Sequence, residues 1–157
     1  LLAKKNNLKT ILNPAPFINF DNKILSLVDY LIPNEHEAYQ MTGVKIDNVS
    51  SAREAGKILC KMGVSVAIIT LGSKGAVCIS NDFEEEFHLM PPNLKGKVVD
   101  TVGAGDIFNG AFAVAINEGM TVIKSIEFSN AAAALAVRKE GAALSAPIIA
   151  DIEKIIK

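Results

Sequence analysis

The segment Asp100-Thr101-Val102-Gly103-Ala104-Gly105-Asp106 sets two carboxylates on either side of three small residues. It sits between an extended stretch and a strongly amphipathic helical pattern. Backbone N–H groups at such a helix start have no intrahelical partner and point outward. With the helix dipole they suit a phosphate or a developing anion. Glycine lets a ligand approach the backbone closely. Asp106 falls in the first turn, where a carboxylate can accept a proton from a hydroxyl attacking phosphorus. The plainer alternative is a Gly-rich turn with an acidic residue at a helix start, and the residues alone leave both open.

Neither standard nucleotide fingerprint applies. Phe108 stands where a dinucleotide motif needs its third glycine, and no Gly-Lys-Ser/Thr follows. Gly72-Ser73-Lys74-Gly75 lacks Walker spacing too, but it follows an apolar run, where open α/β sheets bind ligands. A plain hairpin turn is the reading that the residues alone favour. Asn34 and Glu37 have the spacing of a helix cap and its reciprocal partner. His36 and His88 have no partner at ligand spacing, and Lys95 to Lys97 reads as a solvated basic turn. Cys60 and Cys78 are too few for a disulfide framework and lie outside any CxxC or Cys/His cluster, which disfavours zinc.

The elements around these residues can be read from the same 157 positions. Hydrophobic residues make up 50% and charged ones 21%, enough for a sizeable core and against disorder. Sixteen basic against seventeen acidic residues give a net charge of -1, which argues against a nucleic-acid or polybasic membrane binder. No apolar run approaches the ~18 residues of a membrane span. Leu1 to Asn7 reads as the tail of a helix followed at once by a strand, as though the fold began upstream. Strands are expected at 9–13, 29–32, 65–71, 76–80 and 84–90, with a short strand or extended piece at 98–101. Helices are expected at 23–27, 35–42, 104–118, 122–139 and 151–156. A further helix is expected to open on a Ser51–Glu54 capping box and to end at Gly63. Their alternation predicts a mostly parallel α/β sheet with antiparallel strands toward one edge.

Taken in order, the motifs resemble those of the ribokinase-like, phosphofructokinase-B-type carbohydrate kinases. They are Asn13-Pro14-Ala15-Pro16, Pro33-Asn34-Glu35-His36-Glu37-Ala38, Ile69-Thr70-Leu71-Gly72-Ser73-Lys74-Gly75 and Asp100 through Gly110. Ala131 to Ala134 and Lys139-Glu140-Gly141-Ala142 complete the series. The resemblance covers residues 1–157 but only the C-terminal portion of the family's length. It implies a three-layer α/β/α fold with the N-terminal part and the small β-sheet lid missing.

The resemblance also implies ATP-dependent phosphorylation of a sugar hydroxyl, D-ribose at O5 being the first expectation. Asp106 would be the base and contact the sugar. The backbone of Gly103, Ala104 and Gly105 would form the anion hole. Asn34, Thr70, Leu71, Gly72, Ser73, Lys74, Gly75, Gly105, Asp106 and Asn130 would line ATP, Asn130 standing where the family commonly has His. Asn34 and Glu37 match the motif that helps place Mg²⁺ and phosphate. Asp100, Val102, Ala136, Lys139, Gly141 and Ser145 match the positions around a monovalent cation, K⁺, with Lys139 offering only its carbonyl. The expected partners are a small sugar and ATP, with no nucleic acid and no membrane. The expected compartment is the cytoplasm. The parent enzyme is expected to pair, if at all, through the absent lid. Two alternatives stand beside this: a kinase for another sugar or nucleoside of the family, and a truncated nucleotide-binding remnant without catalysis.

Overall fold

The computed structural model describes residues 1–156. In chain order the elements are α1 (Leu2–Lys5), β1 (Ile11–Leu12), a 3-10 turn (Asn22–Leu27), β2 (Tyr30–Leu31), α2 (Glu35–Thr42), α3 (Val49–Lys61) and β3 (Val66–Thr70). A second 3-10 turn (Gly72–Lys74) leads to β4 (Ala76–Ser80) and β5 (Phe87–Leu89). Then come α4 (Ala104–Asn117), α5 (Val122–Ala136), a third 3-10 turn (Ala143–Ser145) and α6 (Ile149–Ile156). The chain divides into two compact units, residues 1–72 with 76–88, and residues 73–75 with 89–157.

The sheet has the order β1-β2-β3-β4-β5 and is mixed. β1 pairs with β2 and β2 with β3 in parallel, Leu31 lying opposite Ala67. β4 turns back antiparallel on β3, with Ile68 opposite Cys78. The β-branched run of β3 is buried from Val66 to Ile69, as expected of a strand covered on both faces. In the first unit Ala67, Ile69, Val77 and Ile79 meet Ala52, Ala55 and Leu59 of α3 in one core. Gly56 permits that approach, since a Cβ there would lie 2.6 Å from Cγ1 of Ile79. Because β2 and β3 run the same way, the residues that follow them, Pro33-Asn34 and Leu71-Gly72, emerge at the same end of the two strands. Both cysteines are buried free thiols. Burial, helped by nearby Cys60, pushes the Cys78 thiol up to about 12, so it is not a nucleophile at neutral pH.

In the second unit α4 packs on α5 and α5 on α6. Their core joins Ala115, Phe128, Ala131, Ala132 and Ile152. The alanines at 131 and 132 are what let the helices come close.

Several boundaries differ from the sequence expectations, each for a local reason. α3 starts at Val49, and its capping box is Asn48 with Ser51: Oδ1 of Asn48 accepts from Ser51 N at 3.0 Å. The Ser51–Glu54 box is therefore displaced by an earlier and equally good cap. Residues 98–101 form no strand, because the N–H groups of Val99 and Asp100 both donate to the Val137 carbonyl rather than to a ladder. α5 stops at Ala136, after which Arg138 and Lys139 make tighter three-residue turns. The strand expected at 84–90 shrinks to β5, and α6 begins two residues early, at Ile149.

Gly75 and Gly43 separate two costs of a left-handed backbone. Both have positive φ, 83° and 74°. A Cβ at Gly75 would lie 2.0 Å from the Leu89 carbonyl oxygen, whereas nothing lies within 4 Å at Gly43. Gly43→Ala is expected to cost ~1 kcal/mol, the backbone penalty alone. Gly75→Ala adds a collision and should cost roughly 3 kcal/mol or more. Urea-unfolding midpoints of the two variants check this; equal shifts would contradict the packing at Leu89.

Candidate active site

The first turn of α4 is where the Gly-rich segment ends up. Gly103 is its N-cap, with φ 77° and ψ 0°, and contributes no side-chain cap. A Cβ at Gly103 would lie 2.6 Å from Cβ of Ala142, so only glycine fits both the backbone angle and the neighbour. Ala104 N donates to the Thr101 carbonyl at 3.2 Å, and Ile107 N donates to the Gly103 carbonyl at 2.9 Å. Between them the N–H groups of Gly105 and Asp106 have no hydrogen-bond partner among the described residues. Both residues are exposed. These two donors, at the positive end of a 14-residue helix, are available to an anion. Of the three residues expected to form the anion hole, Ala104 already spends its N–H on Thr101.

Asp106 borders a cavity of about 440 Å³ and is the one charged residue in its lining. Ile107, Val114, Phe128 and Ile152 supply much of the wall.

Asp100 holds the loop in front of this turn. Its Oδ1 accepts from Val102 N at 2.9 Å, and its Oδ2 accepts from Gly141 N at 3.1 Å. These N–H groups, Val102 first and Gly141 second, hold its carboxyl below the usual carboxylate range. Val99 N and Asp100 N donate to the Val137 carbonyl at 2.8 and 3.2 Å. Among the residues expected around a monovalent cation, Asp100, Val102 and Gly141 are thus brought together. Buried Ser145 turns its hydroxyl to the Ala142 carbonyl at 2.7 Å, and the Ala136 carbonyl accepts from Lys139 N at 3.0 Å. No group of three His, Cys, Asp or Glu side chains with metal-site geometry occurs among the described residues.

The expected nucleotide residues of the first unit cluster by themselves. Asn34 and Glu37 form a full capping box on α2: Glu37 N donates to Oδ1 of Asn34 at 2.9 Å, and Asn34 N donates to Oε2 of Glu37 at 2.8 Å. Asn34 makes an isolated parallel bridge with Thr70, whose N donates to the Pro33 carbonyl at 3.0 Å. Leu71 is buried, and Gly72 opens the 3-10 turn through Ser73 and Lys74 with φ 55°. In the second unit Asn130 is buried, and its Nδ2 donates to the Leu89 carbonyl at 2.9 Å. That bond ties α5 to the end of β5. Sequence reasoning passed over Arg138, whose guanidinium donates to the carbonyls of Leu94 and Lys95.

The depressed carboxyl of Asp100 gives a pH signature. A lowered folded-state value adds stability that is complete above the ordinary value of 3.8 and fades as pH falls through the folded value. The stability gap between the natural chain and Asp100→Asn should therefore hold from neutrality down to the ordinary value of 3.8 and shrink only below it. Urea unfolding at a series of pH values measures it; a gap independent of pH would remove this role.

The family model described as pfkB family carbohydrate kinase matches residues 2–149. A ribokinase from Haemophilus influenzae is 40% identical over 149 residues, covering 93% of this chain and 46% of that protein. A deoxyribokinase from Salmonella typhi is 32% identical over 155 residues, covering 98% of this chain and 49% of its own length. The structure of Arabidopsis thaliana ribokinase complexed with ribose and ATP superposes with a TM-score of 0.87 at 33% identity, over 98% of this chain and 49% of that one. The chain thus spans about half the length of the curated relatives it matches. Among the described residues no helix is long and apolar enough to cross a membrane.

Proposed function

Because the chain belongs to the pfkB family of carbohydrate kinases, we propose that it carries the catalytic base and nucleotide-facing residues of an ATP-dependent sugar kinase that converts D-ribose to D-ribose 5-phosphate. The observation that carries this reading is the uncapped start of α4, with two free N–H donors beside exposed Asp106. In the reaction, a sugar hydroxyl oxygen forms a bond to the γ-phosphorus as the bond to the β-phosphate oxygen breaks. Asp106 takes the hydroxyl proton. The free N–H groups of Gly105 and Asp106 meet the charge that gathers on the transferred group, and ADP leaves. Phosphoryl transfer asks the protein mainly for position and charge stabilisation, which a fixed helix start supplies. Residues 1–157 would correspond to the C-terminal portion of the family's domain.

The ions the family pattern implies can be tested against the donors present. Asp100 has lone pairs beyond its two N–H bonds, and the Val102 carbonyl accepts no hydrogen bond among the described residues. An all-oxygen set of this kind suits a hard monovalent cation. Such an ion, K⁺ in our reading, would brace the loop ahead of Gly103. Glu37 keeps Oε1 outside the capping box, which suits a role near hydrated Mg²⁺. Magnesium would supply charge neutralisation on the phosphates.

A second reading, 2-deoxyribose as the substrate, is favoured by the similarity to a deoxyribokinase. The ratio of kcat/KM for ribose and 2-deoxyribose decides between them. In the complete enzyme Asp106→Asn should leave ATP affinity nearly unchanged while turnover drops by ~10²–10⁴-fold or more. Coupled detection of ADP release, with ribose as acceptor, measures both; near-normal turnover would take Asp106 out of this role. Turnover should also rise with K⁺ at constant ionic strength, more than with Na⁺ or Li⁺, and Asp100→Ala should blunt the response. Equal rates in K⁺, Na⁺ and a bulky organic cation would sink the cation assignment.

A further inference from the structure

Arg138 lies just past the end of α5, after its C-cap Val137. Its two terminal nitrogens donate to consecutive carbonyls, Leu94 and Lys95, in a loop more than forty residues away in sequence. Gly96 makes room for the guanidinium: a Cβ there would lie 2.7 Å from Nη1. No carboxylate pairs with Arg138 among the described residues, and its Nε is buried without a partner. The guanidinium is therefore spent on backbone alone. A planar fork can hold two adjacent carbonyls at once, which a single ammonium does not. The neighbouring Val137 carbonyl takes the N–H groups of Val99 and Asp100. Residues 137 and 138 thus grip both ends of the segment from Leu94 to Asp100. Asp100 then bonds Val102 and Gly141.

We propose that Arg138 is a positioning residue: by holding the 94–95 carbonyls it fixes Asp100, and through Asp100 the orientation of the first turn of α4. The part of this claim that concerns turnover rests on the kinase reading above; the part that concerns the loop does not.

Two measurements in the full protein keep these apart. Amide hydrogen exchange reads the loop directly. In Arg138→Ala, exchange at Val99, Asp100, Val102 and Gly141 should speed up roughly tenfold, while amides in the α4–α5 core, such as Phe112 and Ala131, stay slow. Uniform acceleration, or no change at the four amides, would overturn the proposal. Kinetics read the consequence: kcat should fall by about tenfold to 10²-fold with the KM for ATP within a factor of about two. Guanidinium ion at low millimolar concentration should restore much of the loss in Arg138→Ala, and ammonium should not. Arg138→Lys, the milder variant, should remain impaired, since it keeps the charge and loses the fork. Full activity in Arg138→Lys would show that charge alone matters and would overturn the proposal. If the natural protein shows no sugar kinase activity, the functional reading fails and the exchange data alone decide the role of Arg138.

Discussion

A helix start whose N-cap is glycine leaves backbone donors without a side-chain partner, a cost of roughly a few tenths of a kcal/mol that α4 bears and α2, α3 and α5 do not. Asn34, Asn48 and Thr121 each accept a hydrogen bond from the first turn of α2, α3 and α5. At the matching place in α4 stands Gly103, which has no side chain to offer. The same glycine is forced by geometry, since φ is 77° and Ala142 leaves no room for a Cβ. The chain therefore cannot cap this helix from the N-cap position while keeping the loop where it is. What results is a pair of outward N–H groups with Asp106 beside them.

Free donors are useful only if they stay put, and the second unit uses its polar contacts to that end. Asp100 spans the loop before α4 and the loop after α5 with one carboxylate. Val137 and Arg138 secure the residues leading into it. Behind the loop, α4 is anchored by Ala115 to Phe128, Ala131 and Ala132. Burying a side chain such as Phe128 contributes ~1.5–3 kcal/mol. That exceeds the cost of the uncapped start, so the packing of α4 on α5 sustains the polar exposure at its tip.

How far the sequence alone reaches depends on whether the deciding interaction is local. The bounds of α2, its capping box and its left-handed stop at Gly43 follow from residues three to nine apart, and all were readable. So was β4, and so was the start of α4, where periodicity and small residues coincide. The cap of α3 was misplaced because Ser51 fits two boxes and only the backbone angle at Asn48 chooses between them. The segment 98–101 looked like a strand because valines favour strands, yet its donors go to Val137, a partner that no local pattern reveals. The bonds from Asp100 to Gly141 and from Arg138 to Leu94 span 41 and 44 residues. Asp100 was singled out only through family resemblance, and Arg138 not at all.

The surroundings of Asp106 also separate two tasks of a sugar kinase. Moving a phosphoryl group needs an anion cradle and one base, and the proposed function gives both roles to residues within 103–106. Choosing a sugar needs several hydrogen bonds to ring hydroxyls, because discrimination rests on polar groups that go unpaired when the wrong sugar binds. The cavity beside Asp106 offers one carboxylate and otherwise apolar wall. Hydroxyls placed against Ile107, Val114 and Phe128 would lose water without gaining partners, at a cost of ~1–3 kcal/mol each. That wall is thus suited to packing rather than to sugar recognition. On the proposed function, the chemistry at α4 is accordingly indifferent to which sugar presents its hydroxyl, and selectivity falls to groups other than those lining this cavity.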